Sequence, residues 1–295
     1  MFKEGLLKGK RILVTGGGTG LGKEIAARYL QLGAEVWIAG RRGPVLQSCA
    51  DELVSRFGGT VKTHSVDIRD AQAVDAMVQR IWDEAGPLTG LVNNAAGNFI
   101  SPTKDLTPNG FNAIANIVFH GTFYVTQAVG KRWIAGKHKG SVISILVTWV
   151  HTGSPYVVPS AMSKAGLNVM TKSLAVEWGR FGIRLNAIAP GPFPTEGATK
   201  RLRPGSSGGF EDGVQMNPMR RVGRMEELQN LATFLMADGC EWLTGETIAI
   251  DGGGYLATGS GGYFLQLDRM SDEDWEKARA LIKAQNDKDR AGRTA

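Results

Sequence analysis

Three short stretches hold residues whose types and spacing suit chemistry. The octet TGGGTGLG, 15–22, lies between the apolar run RILV at 11–14 and a helical pattern from 21 to 32. A glycine-rich turn there turns backbone N–H groups and the positive end of a helix dipole toward a phosphate. Gly16 allows the tight turn, Gly20 lets backbone approach a pyrophosphate, and Gly22 permits close helix packing. The stretch VVPSAMSKAG, 157–166, sets Ser160 and Lys164 one helical turn apart, so a hydroxyl and an ammonium face the same way. The stretch IAGRR, 38–42, ends a second apolar run with Arg41 and Arg42. Paired guanidinium groups bind phosphate well; the alternative is a solvated surface pair.

Strand-like and helix-like segments alternate to position these residues. The strands are expected at 11–14, 35–39, 60–66, 90–93, 141–146, 183–189 and 246–250. Helices are expected at 21–32, 45–57, 71–85, 109–135, 157–180 and 225–237. Continuous apolar strands separated by helices predict an α/β fold: one doubly wound, seven-stranded parallel sheet with helices on both faces. No internal repeat or domain boundary interrupts it. The stretch 201–213 is rich in Gly and Ser and reads as a mobile loop. After DGGG at 251–254, Ser271 and the acidic residues that follow it predict a capped terminal helix.

The 295 residues carry 42% hydrophobic and 21% charged residues, a globular balance, with net charge +6. That mild basicity suits a phosphorylated cofactor or substrate as well as nucleic acid. Without a block of consecutive basic residues, nucleic acid is not expected as a partner. Cys49 and Cys240 have no CxxC spacing and no ligand cluster, so no metal site or disulfide framework is expected. The longest apolar run, 141–150, is too short to span a bilayer, and the N-terminus lacks the apolar core of a signal peptide. The chain reads as cytoplasmic, with no membrane partner.

The spacing TGxxxGxG resembles the short-chain dehydrogenase/reductase family, and further motifs fall in the family's order: NNAAG at 93–97, SAMSK at 160–164, PGPFPT at 190–195 and LTGETIAIDGG at 243–253. The resemblance covers about 8–255. It implies a single Rossmann-type domain over 1–255, followed by an extension, 256–295. It implies cofactor contacts from Thr15, Gly16, Gly18, Thr19, Gly20, Leu21 and Gly22, and from Asp67, which matches an adenine-contacting position, with Ile68. It implies further contacts from Asn94, Ala95, Ala96 and Gly97, from Lys164 on the nicotinamide ribose, and from Pro190, Gly191, Pro192, Phe193 and Thr195. Family members that use NAD usually hold an aspartate where Gly40 stands. Its absence, with Arg41 and Arg42 alongside, implies NADPH. The family also implies a homotetramer built on the two long central helices and the last strand.

The usual catalytic set of the family is Asn, Ser, Tyr and Lys. Here the matching positions hold Val118, Val147, Ser160 and Lys164. This pattern, with NNAAGNFISP at 93–102 and PGPFPTEGA at 190–198, looks like the 2,4-dienoyl-CoA reductases of the superfamily. That resemblance implies NADPH-dependent reduction of a 2,4-dienoyl-CoA, or a related enoyl thioester, to a 3-enoyl-CoA in unsaturated fatty acid degradation. The partner is an acyl-CoA thioester. Ketone reduction needs a proton at the adjacent oxygen, which a phenol supplies. In a dienoyl thioester, charge develops several bonds away, and the site needs an oxyanion donor there. The resemblance assigns that donation to Asn98 and to a tyrosine where this chain has Trp149. An indole N–H donates a hydrogen bond but releases no proton. Trp149 therefore either stabilises the dienolate or lines the acyl pocket, and the proton comes from water, Tyr156 or His151. Asn98 also has the simpler reading of a turn cap. Lys200, Arg201 and Arg203 either meet CoA phosphates or are solvated. Two other readings stand: a carbonyl reductase with a relocated acid such as Tyr156, and a catalytically silent NADPH-binding protein.

Overall fold

The computed structural model describes residues 1–195, 214, 217–257 and 264–293. The loop expected at 201–213, with Lys200, Arg201 and Arg203, lies outside the described residues. The chain forms two compact units, Met1–Tyr255 and Leu256–Ala295.

In the first unit seven strands form one parallel sheet: β1 (Arg11–Thr15), β2 (Glu35–Gly40), β3 (Val61–Ser65), β4 (Gly90–Asn93), β5 (Gly140–Ile145), β6 (Ile183–Pro190) and β7 (Thr247–Ile250). Their spatial order is β3-β2-β1-β4-β5-β6-β7. The order reverses between β1 and β4, and ligands of open α/β sheets bind beyond the carboxyl ends of the strands at such a point.

Side chains alternate across each strand, and this splits the core in two. Ile12 and Val14 join Val36, Ile38, Ile143 and Ile188 on one face. Helices α1 (Gly20–Gln31) and α2 (Gly43–Phe57) cover that face. Leu13, Trp37, Leu91 and Val142 point the other way, under α3 (Ala71–Ala85). Asp70 caps α3 by accepting from the amides of Gln72 and Ala73 at 2.9 and 3.0 Å.

The single helix expected over 109–135 is interrupted. It comprises α4 (Pro108–Ala115), a π-helical turn at Asn116–Gly121, and α5 (Thr122–Ala135). A wider turn shifts the phase of every side chain after it without breaking the apolar pattern, so a periodicity reading runs straight through. Gly121 closes the turn against Ile68, where an added Cβ would stand 2.7 Å from the isoleucine Cγ1. A four-residue helix, α6 (Trp149–Thr152), precedes the long α7 (Val158–Trp178), and α8 (Met225–Met236) returns to the α1 side.

In the second unit α9 (Asp272–Arg293) is the main element. Ser271 Oγ accepts from the Asp274 amide at 3.2 Å, and the Asp274 carboxylate accepts from the Ser271 amide at 3.0 Å, a reciprocal cap. No helix among the described residues is long and apolar enough to cross a membrane.

Candidate active site

The carboxyl ends of the strands bring the sequence-predicted positions together. β1 delivers the glycine-rich turn, β2 delivers Gly40 and Arg41, and β4 delivers 94–98. β5 leads to Trp149, α7 carries Ser160 and Lys164, and β6 leads into 190–195.

A latch between β1 and β4 holds the turn. Thr15 Oγ1 accepts from the amides of Asn94 and Ala95, both at 3.1 Å. The Asn94 side chain donates to the carbonyls of Thr15 at 3.0 Å and Gly16 at 3.2 Å. Gly22 must lack a side chain, because a Cβ there would stand 2.4 Å from Asn94 Nδ2 and 2.5 Å from the Gly16 oxygen. Gly16 and Gly20 have φ of 65° and 56°, a region that favours glycine. At Gly20 an added Cβ would meet only Thr195, at 3.7 Å or more, so backbone there is open to close approach. Thr19 makes no side-chain cap to α1, which leaves the first helical amides free of one. Open backbone, uncapped amides and a helix dipole together fit a dinucleotide pyrophosphate.

At the end of β2, a Cβ on Gly40 would meet nothing nearer than Leu46 at 3.8 Å. The missing acid therefore reflects no want of room. Arg41 and Arg42 are exposed. Asp67 is already engaged by Arg69, whose Nε donates to its two oxygens at 3.0 and 2.9 Å and whose Nη2 donates at 2.5 Å. Arg69 is a residue that sequence reasoning passed over, although its spacing from Asp67 left the pair in view. Ile68 is buried against the π turn.

Lys164 and Ser160 are 6% and 5% exposed. The ammonium of Lys164 donates to the Ile145 carbonyl at the end of β5. Burial lowers the lysine pKa from 10.5 to about 8. Val118 is fully buried with Ile114, Leu146 and Leu167, and Phe99 and Val150 pack against the same cluster. Val147 is half-buried. Apolar packing thus occupies the Val118 position.

Asn98 bonds local backbone, as the simpler of its two readings has it. Its carbonyl oxygen accepts from the Phe99 amide at 2.9 Å. That bond fixes which end of the amide faces the backbone and leaves the NH₂ group to donate elsewhere. Trp149 opens α6 and is half-buried. His151, on the same helix, lies against Tyr255 with ring centroids 4.9 Å apart. Nothing in the sequence signalled that contact. Tyr156 adopts φ of 63° with its side chain 60% exposed, and its carbonyl accepts from the Ser101 amide at 2.8 Å. The bond from Ser101 ties its backbone to the loop after β4. Among the described residues no group of three or more His, Cys, Asp or Glu is placed to hold a metal.

Beyond β6, Gly191 packs against Asp251, where an added Cβ would stand 2.5 Å from the aspartate Cβ. Asp251 accepts from the amides of Gly253 at 3.0 Å and Tyr255 at 2.7 Å. Phe193 is buried against Gly223, and Thr195 lies beside Gly20. The 190–195 segment is thereby brought over the glycine-rich turn.

A family model described as Enoyl-(Acyl carrier protein) reductase matches residues 16–254. A Caenorhabditis elegans protein named "Probable 2,4-dienoyl-CoA reductase decr-1.2 [(3E)-enoyl-CoA-producing]" is 42% identical over 293 residues, 99% of this chain and 95% of the relative. A Bacillus subtilis (strain 168) protein named "Probable 2,4-dienoyl-CoA reductase [(2E)-enoyl-CoA-producing]" is 38% identical over 248 residues, 84% of this chain and 97% of the relative. The crystal structure of a short chain dehydrogenase from Bacillus anthracis is 39% identical with a TM-score of 0.78, covering 86% of this chain and 99% of that one. The parallel sheet, the glycine-rich turn and these matches agree: the chain belongs to the short-chain dehydrogenase/reductase family of oxidoreductases, and is similar within it to proteins named 2,4-dienoyl-CoA reductases.

Proposed function

We propose that the protein reduces 2,4-dienoyl-CoA, or a related enoyl thioester, to 3-enoyl-CoA with NADPH, in the degradation of unsaturated acyl chains. The observation that carries this reading is the Asn98 amide. Its oxygen is taken by the Phe99 amide while its NH₂ group remains available, as an oxyanion donor requires. The buried valine at 118 and the serine at 160 support it as well, since neither supplies the acid that ketone reduction needs. The exposed Tyr156 does not favour a relocated acid.

In this reading the glycine-rich turn holds the pyrophosphate, Arg41 and Arg42 take the 2′-phosphate, and Lys164 orients the nicotinamide ribose. When bound, NADPH would supply the hydride, which a dienoyl thioester accepts at the far end of its conjugated system. Asn98 and the Trp149 indole donate to the thioester oxygen as negative charge arrives there. The indole cannot give up a proton, so the proton for carbon comes from water or His151. We take the (3E) product because the relative named for it spans 99% of this chain.

The same reading extends to a homotetramer. Phe119 in the π turn, Phe123 on α5, and Met162, Val169 and Val176 on α7 are exposed apolar residues on the long central helices. Light scattering at micromolar concentration is expected to give four chains. Free thiols at Cys49 and Cys240 suit a reducing compartment such as the cytoplasm.

The test is NADPH oxidation with 2,4-dienoyl-CoA set against 3-oxoacyl thioesters, with the product's double bond located by chromatography. Turnover of the dienoyl thioester alone is expected. Turnover of the 3-oxoacyl thioester alone would replace this reading with a carbonyl reductase, and turnover of neither with a silent binder. Trp149→Tyr should keep or raise the rate and Trp149→Phe should lower it. Full activity in Trp149→Phe would reduce the indole to a pocket lining.

A further inference from the structure

We propose that Arg69 tunes cofactor specificity: by pairing with the Asp67 carboxylate, it offsets an acidic charge that would otherwise repel the 2′-phosphate held at Arg41. The inference rests on the NADPH reading above.

The two residues meet where β2 and β3 end side by side. Gly40 pairs with Ser65 in the sheet register. Beyond that pair, the Val66 amide donates to the Gly40 carbonyl at 2.9 Å and Ser65 Oγ donates to the Arg41 carbonyl at 3.3 Å. These bonds fix Arg41 and Asp67 as neighbours at one corner of the sheet. NADPH presents a phosphate at the end of β2, and a bare carboxylate one strand away would oppose it.

Arg69 engages both oxygens of that carboxylate through three N–H groups. Oδ1 of Asp67 accepts from the Arg69 amide at 3.1 Å and from Nε at 3.0 Å, while Oδ2 accepts from Nε at 2.9 Å and from Nη2 at 2.5 Å. A carboxylate offers about four acceptor positions. One acceptor position stays open on Asp67, and its charge is matched at contact distance. Arg69 holds the Asp67 carboxyl below its usual range, and the nearby Arg41 adds to the effect. Asp70, the next acid along, is turned into the start of α3 by its capping bonds. Arg41, Asp67 and Arg69 thus form a corner with net charge +1, set to receive a phosphate.

The test measures dissociation constants of NADPH and NADH by fluorescence titration, without turnover. Arg69→Ala is expected to weaken NADPH about fivefold, the size of a partly screened charge contact, and NADH less than twofold. Adding Asp67→Asn to that variant should return the NADPH-to-NADH affinity ratio to within about twofold of the native value, whatever both dinucleotides lose in common. Arg69→Lys, which keeps the charge and is a milder change, should stay close to native. If Arg69→Ala weakens both dinucleotides equally, or tightens both as removal of a plug over the adenine site would, the proposal is overturned. A native NADPH preference that survives Arg69→Ala unchanged overturns the proposal alone. Equal native affinities for the two dinucleotides would overturn the cofactor reading and this inference with it.

Discussion

The two ends of the cleft are built from different materials. Around β1 and α1 the working surface is backbone: Gly16 and Gly20 hold positive φ, Gly22 leaves room for the Asn94 latch, and α1 begins without a side-chain cap. Around β5 and α7 the working surface is side chains: Lys164 and Ser160 on α7, Val118 in the π turn and Trp149 on α6. A backbone surface is intolerant of any added atom but indifferent to what reaction follows. A side-chain surface can change the reaction by a few substitutions and leave the sheet untouched. This difference accounts for a glycine-rich turn that keeps the family's form beside a catalytic set that has lost three of its four usual members.

The comparison is open to direct attack. The largest effect is expected at the side-chain end. Asn98→Ala should lower kcat about a hundredfold with little change in KM for a dienoyl thioester, because an oxyanion donor acts mainly in the transition state. Ser160→Ala should stay within a few-fold of native in the same assay. A dominant effect at Ser160 would return the chemistry to the family's usual position.

The backbone end should break by crowding rather than by chemistry. Gly22→Ala sets a Cβ against Asn94 and the Gly16 carbonyl, and should weaken NADPH binding by more than about tenfold while lowering Tm. Gly20→Ala meets only Thr195, at ordinary contact distance, and faces chiefly the left-handed strain of about 1–2 kcal/mol. Calorimetry and cofactor titration on the pair separate the two. An equal loss in both would mean that conformation, not the latch, sets the tolerance.

Two smaller effects sharpen the picture of the side-chain end. Val118→Asn would restore the family's residue but bury an amide in the apolar cluster of Ile114, Leu146 and Leu167. Urea unfolding should show a loss of about 1–3 kcal/mol. Lys164 then gives a pH signature. Its folded pKa lies near 8 against an ordinary 10.5, so between these values the unfolded chain binds more protons than the folded one. The stability of the cofactor-free protein should therefore rise from pH 8 toward 10.5, with the cost of the buried charge fully present below pH 8. Lys164→Met should flatten that rise in thermal melts.

The strands, the glycine-rich turn and the Ser160–Lys164 pair were determined by the sequence itself. The expected run 90–93 is β4 as found, and the expected 183–189 differs from β6 by one residue. A strand buried on both faces is apolar along most of its length, and helical spacing is local, so both can be read from neighbours along the chain. The π turn at Asn116–Gly121, the short helix that carries Trp149 and the exposed setting of Tyr156 were decided only in the folded molecule. So were the choice of Phe99 as the partner of the Asn98 oxygen and the contact of His151 with Tyr255. The physical reason is the same in each case. A residue type fixes what a side chain is able to donate or accept, but the partner it finds comes from segments far away in the chain, and only packing determines which of them arrives.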